Sequence, residues 1–182
     1  MSNLLNSLIL LVFLFLIGCS TQQYSSPAGA GLKLLPPADA SAPVLLKQKV
    51  ILQSAGKQQQ FLLVARFEPQ RLRLVVLSPI GQQLLILDYD GDALVEESVS
   101  SIDLPGREIL AIIQFALWPA QSVRNNYPEK EGWLLKIGDE KRVLQDGGKM
   151  HLNISYEDDK LVIDNKIRDY RVIVHLLEKT EL

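Results

Sequence analysis

The sequence predicts a mainly β domain with a helical insert, in which a curved antiparallel sheet packs on one apolar helix. Three observations predict it. Apolar-rich runs of strand length, separated by turn residues, fill positions 44–99. A stretch at 109–118 with Gln114 as its lone polar side chain follows, flanked by helix-boundary residues. Strand-length runs then return between positions 133 and 177.

The chain has 182 residues, 47% of them hydrophobic and 22% charged, with a formal net charge of -2. Those fractions are those of a folded globular protein. A balanced, slightly acidic charge provides no basic footprint for nucleic acid. One cysteine and two histidines exclude an internal disulfide and a cysteine-rich metal site.

The first element is an address. Residues 8–17 read LILLVFLFLI, too short to span a bilayer, which takes about 20 apolar residues, but of the length of a secretory core of about 7–15. The preceding MSNLLNS carries no Lys or Arg. The stretch closes on Leu16-Ile17-Gly18-Cys19-Ser20, which resembles the bacterial lipobox. That resemblance implies a signal peptide over 1–18 and acylation of Cys19. Three acyl chains would exceed the two-signal threshold for stable anchoring. Serine after the cysteine, where aspartate marks inner-membrane retention, implies the outer membrane. The residues alone also admit a plain signal peptide with an incidental cysteine.

Residues 19–43 are rich in Ser, Ala, Gly and Pro. They read as a lipidated tether of roughly 25–30 Å root-mean-square span, with Leu32 to Leu35 available to pack back on the domain that occupies 44–182. In that domain the strands are expected at 44–53, 59–67, 71–77, 83–89 and 93–99. The turn signals between them are Ala55-Gly56-Lys57, Glu68-Pro69-Gln70, Ser78-Pro79-Ile80-Gly81 and Asp90-Gly91. Strict alternation in Arg71-Leu72-Arg73-Leu74 gives one wet and one buried face. Asp103 is the expected N-cap of a helix reaching Trp118, with Pro105 in its first turn and Pro119 as its stop. After Glu108 the lone polar side chain up to Trp118 is Gln114, so this helix is buried on more than one side. A short second helix is expected at 120–127. Strands follow at 133–137, 141–145, 149–156, 161–167 and 169–177. One sheet that shares its apolar face with the helix satisfies this order.

At this point the sequence resembles the LolA/LolB class of periplasmic lipoprotein carriers, and more closely a LolB-like lipoprotein family found in some aryl polyene biosynthesis clusters. The resemblance rests on the lipobox, Ser78-Pro79-Ile80-Gly81 before a Leu-rich strand, Leu104-Pro105-Gly106 with Ala116-Leu117-Trp118-Pro119, and the closing Ile163-Asp164-Asn165 and Asp169-Tyr170-Arg171-Val172. It covers nearly the whole mature chain. It implies an incomplete barrel, with a helical lid over an apolar cavity that receives acyl chains. It also implies a monomer at the periplasmic face of the outer membrane, held by its lipid anchor. The expected ligand is a hydrophobic acyl or polyene-type lipid, and a periplasmic carrier or biosynthetic protein is the candidate protein partner.

The helix supplies the candidate lining: Ile109, Ile112, Ile113, Phe115, Ala116 and Trp118. For Phe115 and Trp118, three apart, core packing is the default reading and ligand lining the alternative. Ile80 is either a core residue folded back from its turn or, as the resemblance implies, a projecting side chain that touches the membrane during delivery. No nucleophile elbow, phosphate-cradling glycine loop or acid–base set stands out, so neither catalysis nor a cofactor is expected. The run from Asp88 to Asp92 reads as a hairpin turn, since its glycine is misplaced for an EF-hand calcium loop. His151 and His175 read as structural or surface residues, and no metal site is expected. A structural or assembly lipoprotein that docks a protein partner fits the same sequence.

Overall fold

Period-two burial organises the molecule into a single sheet with a covered inner face. The computed structural model describes residues 31–98 and 104–182. Among them, ten antiparallel strands form one open sheet. The first meander contains β1 (Val44–Ser54), β2 (Lys57–Glu68), β3 (Arg71–Leu77), β4 (Gln83–Tyr89) and β5 (Leu94–Ser98). The second contains β6 (Trp133–Ile137), β7 (Lys141–Asp146), β8 (Lys149–Glu157), β9 (Lys160–Asn165) and β10 (Tyr170–Glu181). The spatial order is β5-β4-β3-β2-β1-β10-β9-β8-β7-β6, so the two meanders meet where β1 pairs with β10. There Val50 faces Val174 and Ser54 faces Tyr170. The longest strands thus lie at the centre, and the short β5 and β6 form the edges.

Side chains alternate across each strand. On β3, Leu72, Leu74 and Val76 are buried while Arg71 and Arg73 are exposed. The buried set faces the helices α1 (Gly106–Leu117) and α2 (Ala120–Asn126), which connect the meanders. The expected mainly β fold with a helical insert is the observed one. α1 begins at Gly106 with Pro105 as its N-cap, so the proline precedes the first turn. Asp103 and the end of the strand expected at 93–99 lie outside the described residues. Glycine at 106 serves packing. A Cβ there would sit 2.5 Å from Leu87 Cδ2 and 2.5 Å from Glu96 Oε2, so a larger residue would have to displace the ends of both side chains for α1 to close on β4 and β5. Pro119 stops α1, whose final turn is closed by Trp118 N–H donating to Gln114 O at 2.9 Å.

The last hairpin turns earlier than the sequence suggests. Asn165 Oδ1 accepts the N–H groups of Ile167 (3.1 Å) and Arg168 (3.0 Å). This side-chain turn competes with the ladder and ends β9 at Asn165, where hydropathy alone carries the strand to Ile167.

The residues just before β1 also differ from a free tether. Leu32 and Leu35 are buried, and Pro37–Asp39 form a short 3-10 turn. Prolines remove ladder donors but do not prevent packing. The backbone of this strap is bonded by side chains instead. Gln114 Nε2 donates to Leu35 O (2.6 Å), and Gln114 Oε1 accepts Leu35 N–H (2.9 Å). Trp118 Nε1–H donates to Pro36 O at 3.0 Å, and Tyr127 OH accepts Lys33 N–H at 2.9 Å. Residues 1–30, including the expected signal segment, Cys19 and the first part of the expected tether, lie outside the described residues.

Candidate functional site

α1 presents two buried faces, and they do different things. At 100° per residue, Ile109, Ile112, Ile113 and Ala116 share one face. That face does not close on the sheet. Between it and the central strands lies a cavity of about 340 Å³, within the ~300–1,000 Å³ typical of small-molecule sites. Its sheet wall is formed by Gln48, Val50, Leu52 and Ser54 of β1 and by Gln59, Phe61 and Leu63 of β2. Leu161 and Ile163 of β9 and Tyr170, Val172 and Val174 of β10 continue the wall. These are alternate residues of neighbouring strands, so a period of two aims them at one face.

Phe115 and Trp118 do not line this cavity. They lie on the other face of α1 with Ala111 and Gln114, all essentially inaccessible to solvent. Phe115 packs edge-on against Tyr127 (5.6 Å between centroids), and Tyr127 packs against Trp133 (5.1 Å). Trp118 meets Phe67 edge-on at 5.2 Å. The helical period separates them from the isoleucines, and the strap, α2 and β6 supply their neighbours.

The C-terminal end of α1 is pinned. Carbonyls there lack intrahelical partners. Arg142 Nη1 donates to Phe115 O and Trp118 O, each at 2.7 Å, and Tyr156 OH donates to Ala116 O at 2.6 Å. The N-terminal end carries a polar cluster. Glu108 Oε1 accepts from Tyr170 OH (2.7 Å) and Asn165 Nδ2 (2.9 Å), and its Oε2 pairs with Arg168 Nε at 2.8 Å. Burial pushes the Tyr170 hydroxyl above its ordinary range, and the Glu108 carboxylate it bonds reinforces that shift. The hydroxyl therefore stays protonated and donating.

Of the six helix residues singled out from the sequence, Ile109, Ile112, Ile113 and Ala116 border the cavity, and its floor and rim were not singled out. The floor was detectable in part: Gln48, Val50, Leu52 and Ser54 alternate with Lys49, Ile51 and Gln53. Nothing local marks Arg168 or Tyr170 as rim residues, because the β1–β10 pairing brings them there.

Ile80 is 89% exposed, so it does not fold back onto the core. Gly81 N–H donates to Ser78 O at 2.9 Å, and Gly81 takes φ +83°, which favours glycine. Ser78 Oγ accepts Gln82 N–H at 3.1 Å and tightens the turn. Leu77 pairs with Leu62, so the turn projects at the end of the sheet that also carries Gln59 and Ser54.

A wider depression of about 1000 Å³ lies over the outer face of β2 to β5. Four of its charged side chains pair off, Arg66 with Glu68 at 2.7 Å and Arg71 with Asp88 at 2.5 Å. Such exposed pairs contribute little to stability. It has no enclosed apolar wall, so the smaller cavity is the better candidate. The run from Asp88 to Asp92 forms the β4–β5 hairpin, in which Asp90 Oδ1 accepts the N–H groups of Asp92 and Ala93. His151 lies on β8 beside Trp133, and His175 lies on β10. Among the described residues, no three His, Cys, Asp or Glu side chains gather to hold a metal ion.

A solved structure of an outer membrane lipoprotein-sorting protein domain from Vibrio parahaemolyticus is similar over 77% of this chain and 85% of that one, at 8% identity and a TM-score of 0.44. No curated protein matches the chain. A family model described as protein of unknown function (DUF3261) matches residues 45–178, from the first strand of the sheet into its last, and the chain belongs to that family.

Proposed function

We propose that this chain is an outer-membrane lipoprotein, anchored through acylated Cys19, that holds an acyl or polyene-type lipid in the cavity beneath α1 and helps deliver it to the outer membrane. The observation that carries the reading is the unfilled apolar space between one face of α1 and the four central strands. The role is non-catalytic: the protein shields a chain from water and releases it. Burial there stabilises a chain by about 0.8 kcal/mol per methylene, enough to hold it without a covalent step. The periplasm-facing location rests on the lipobox.

The test is extraction of the purified full-length protein followed by mass spectrometry. A co-purifying lipid in near-stoichiometric amount is the expected result. A protein that never yields lipid, and that pulls down one stoichiometric protein partner, is a docking lipoprotein instead. Anchoring has its own check. Cys19→Ala should abolish palmitate labelling and release the protein from outer-membrane fractions, and a wild-type protein that takes no label would remove the lipoprotein assignment.

Ile80 is the membrane-contacting residue in this reading. Its side chain gains about 1.5–3 kcal/mol at most on entering a bilayer interface, little beside the lipid anchor. Ile80→Glu should therefore leave folding and fractionation unchanged and slow transfer of a fluorescent acyl cargo to vesicles roughly tenfold. An unchanged transfer rate would assign delivery to another part of the surface.

A further inference from the structure

The polar cluster at the N-terminal end of α1 is built more elaborately than a helix start requires. Glu108 is almost covered, while Arg168 is 61% exposed and stands on the rim of the cavity. The two groups are not equally satisfied. Glu108 already accepts from two donors, Tyr170 and Asn165, and its other oxygen is ion-paired with Arg168. Arg168 carries five N–H donors and spends Nε on that contact, so its terminal nitrogens have donors to spare. Asn165, 1% exposed, fixes the turn that carries Arg168 and also bonds Glu108. The guanidinium is thus held from behind and open in front.

Two further observations bear on what it would meet. Among the described residues that line the cavity, Arg168 is the one charged side chain and none is a carboxylate. The cavity volume of about 340 Å³ is near the bottom of the ~300–1,000 Å³ range, which suits one slender chain better than a multi-chain lipid. Its floor runs along β1 from Ser54 to Gln48, about 20 Å at ~3.3 Å per residue, room for an extended chain on the order of a dozen carbons.

We propose that Arg168 is a head-group receptor, and that the cavity takes a single-chain amphiphile with an anionic head, carboxylate or phosphate. The chain lies along β1 beneath α1, and the head meets the terminal guanidinium nitrogens at the rim. A planar fork of donors matches either oxyanion. This deepens the lipid-carrier reading and rests on it.

The test uses the full-length chain in amphipol, loaded with a fluorescent apolar probe and titrated with laurate, dodecyl phosphate and dodecanol. The three share a chain and differ in head. The expected result is that at least one of the two anions displaces the probe about three- to tenfold more strongly than dodecanol, the modest factor reflecting the exposure of Arg168. Which anion wins separates a carboxylate from a phosphate head. Arg168→Gln should bring that anion to the affinity of dodecanol, and Arg168→Lys should restore part of the preference. Equal displacement by all three in the wild-type protein, or a preference that survives in Arg168→Gln, overturns the head-group role and leaves the apolar cavity standing. Displacement by none of them overturns both.

Discussion

Trp118→Ala should lower the unfolding free energy by roughly 3–5 kcal/mol, the cost of removing a large aromatic from a packed interior. Trp118 is 1% exposed and meets Phe67 edge-on, an aromatic pair worth about 0.5–1.5 kcal/mol beyond its buried area. Its indole N–H also donates to Pro36 O, which accepts Asp39 N–H as well, so truncation removes one of that carbonyl's two donors and loosens the strap. Urea denaturation followed by circular dichroism reads the effect directly. The contrast is Ile113→Ala on the opposite face of α1. That side chain already borders empty space, so its removal should cost no more than about 2 kcal/mol, the bottom of the range for isoleucine truncation. Equal costs on the two faces would mean that the helix is packed alike on both sides. A Trp118→Ala protein of undiminished stability that had lost lipid would place Trp118 in the binding site.

That contrast marks where sequence reasoning reached and where it stopped. The strands were legible because period-two alternation and turn chemistry agree: Arg71-Leu72-Arg73-Leu74 cannot sit otherwise without burying arginine. The helix was legible from its run between Pro105 and Pro119, apolar after Glu108 apart from Gln114. Its two-sided burial was legible too, since no polar stripe interrupts it. Which apolar residue faces which neighbour was not legible. Phe115 and Ala116 are adjacent in sequence and project about 100° apart, yet only the strap, α2 and the sheet decide which direction is filled. Gln114 stood out as the solitary polar side chain between Glu108 and Trp118, but its partner, the Leu35 backbone, is 79 residues away in sequence. Arg168 was invisible for the same reason. It follows a buried asparagine in a turn, and its meaning comes from the β1–β10 pairing at the centre of the sheet. Local chemistry specifies elements; the long-range pairing that assembles a site leaves little trace in any one segment.

Filling the cavity from the helix side gives the sharpest separation between a carrier and a docking protein of the same fold. Ile113→Trp adds a large ring to the face of α1 that looks across open space toward β1 and β2. If that space receives a lipid chain, the ring occupies it. Displacing about three methylenes removes roughly 2–2.5 kcal/mol of burial, on the order of fiftyfold in affinity for an apolar probe. Stability should hold or rise, because the indole covers apolar wall that is otherwise unfilled when no lipid is bound. The reverse holds if the protein in solution closes α1 onto the sheet and needs no ligand. The added ring then overpacks a filled core, at a typical cost of 1–3 kcal/mol. The two accounts therefore differ in the sign of the stability change as well as in binding. Thermal unfolding of the lipid-stripped protein and probe titration, on the same preparation, read both. A variant that gains or keeps stability while losing the probe fits a ligand cavity. A destabilised variant, made from a wild-type protein that never bound the probe, would make α1 an ordinary core helix and leave the proposed lipid anchor as the chain's sole tie to lipid.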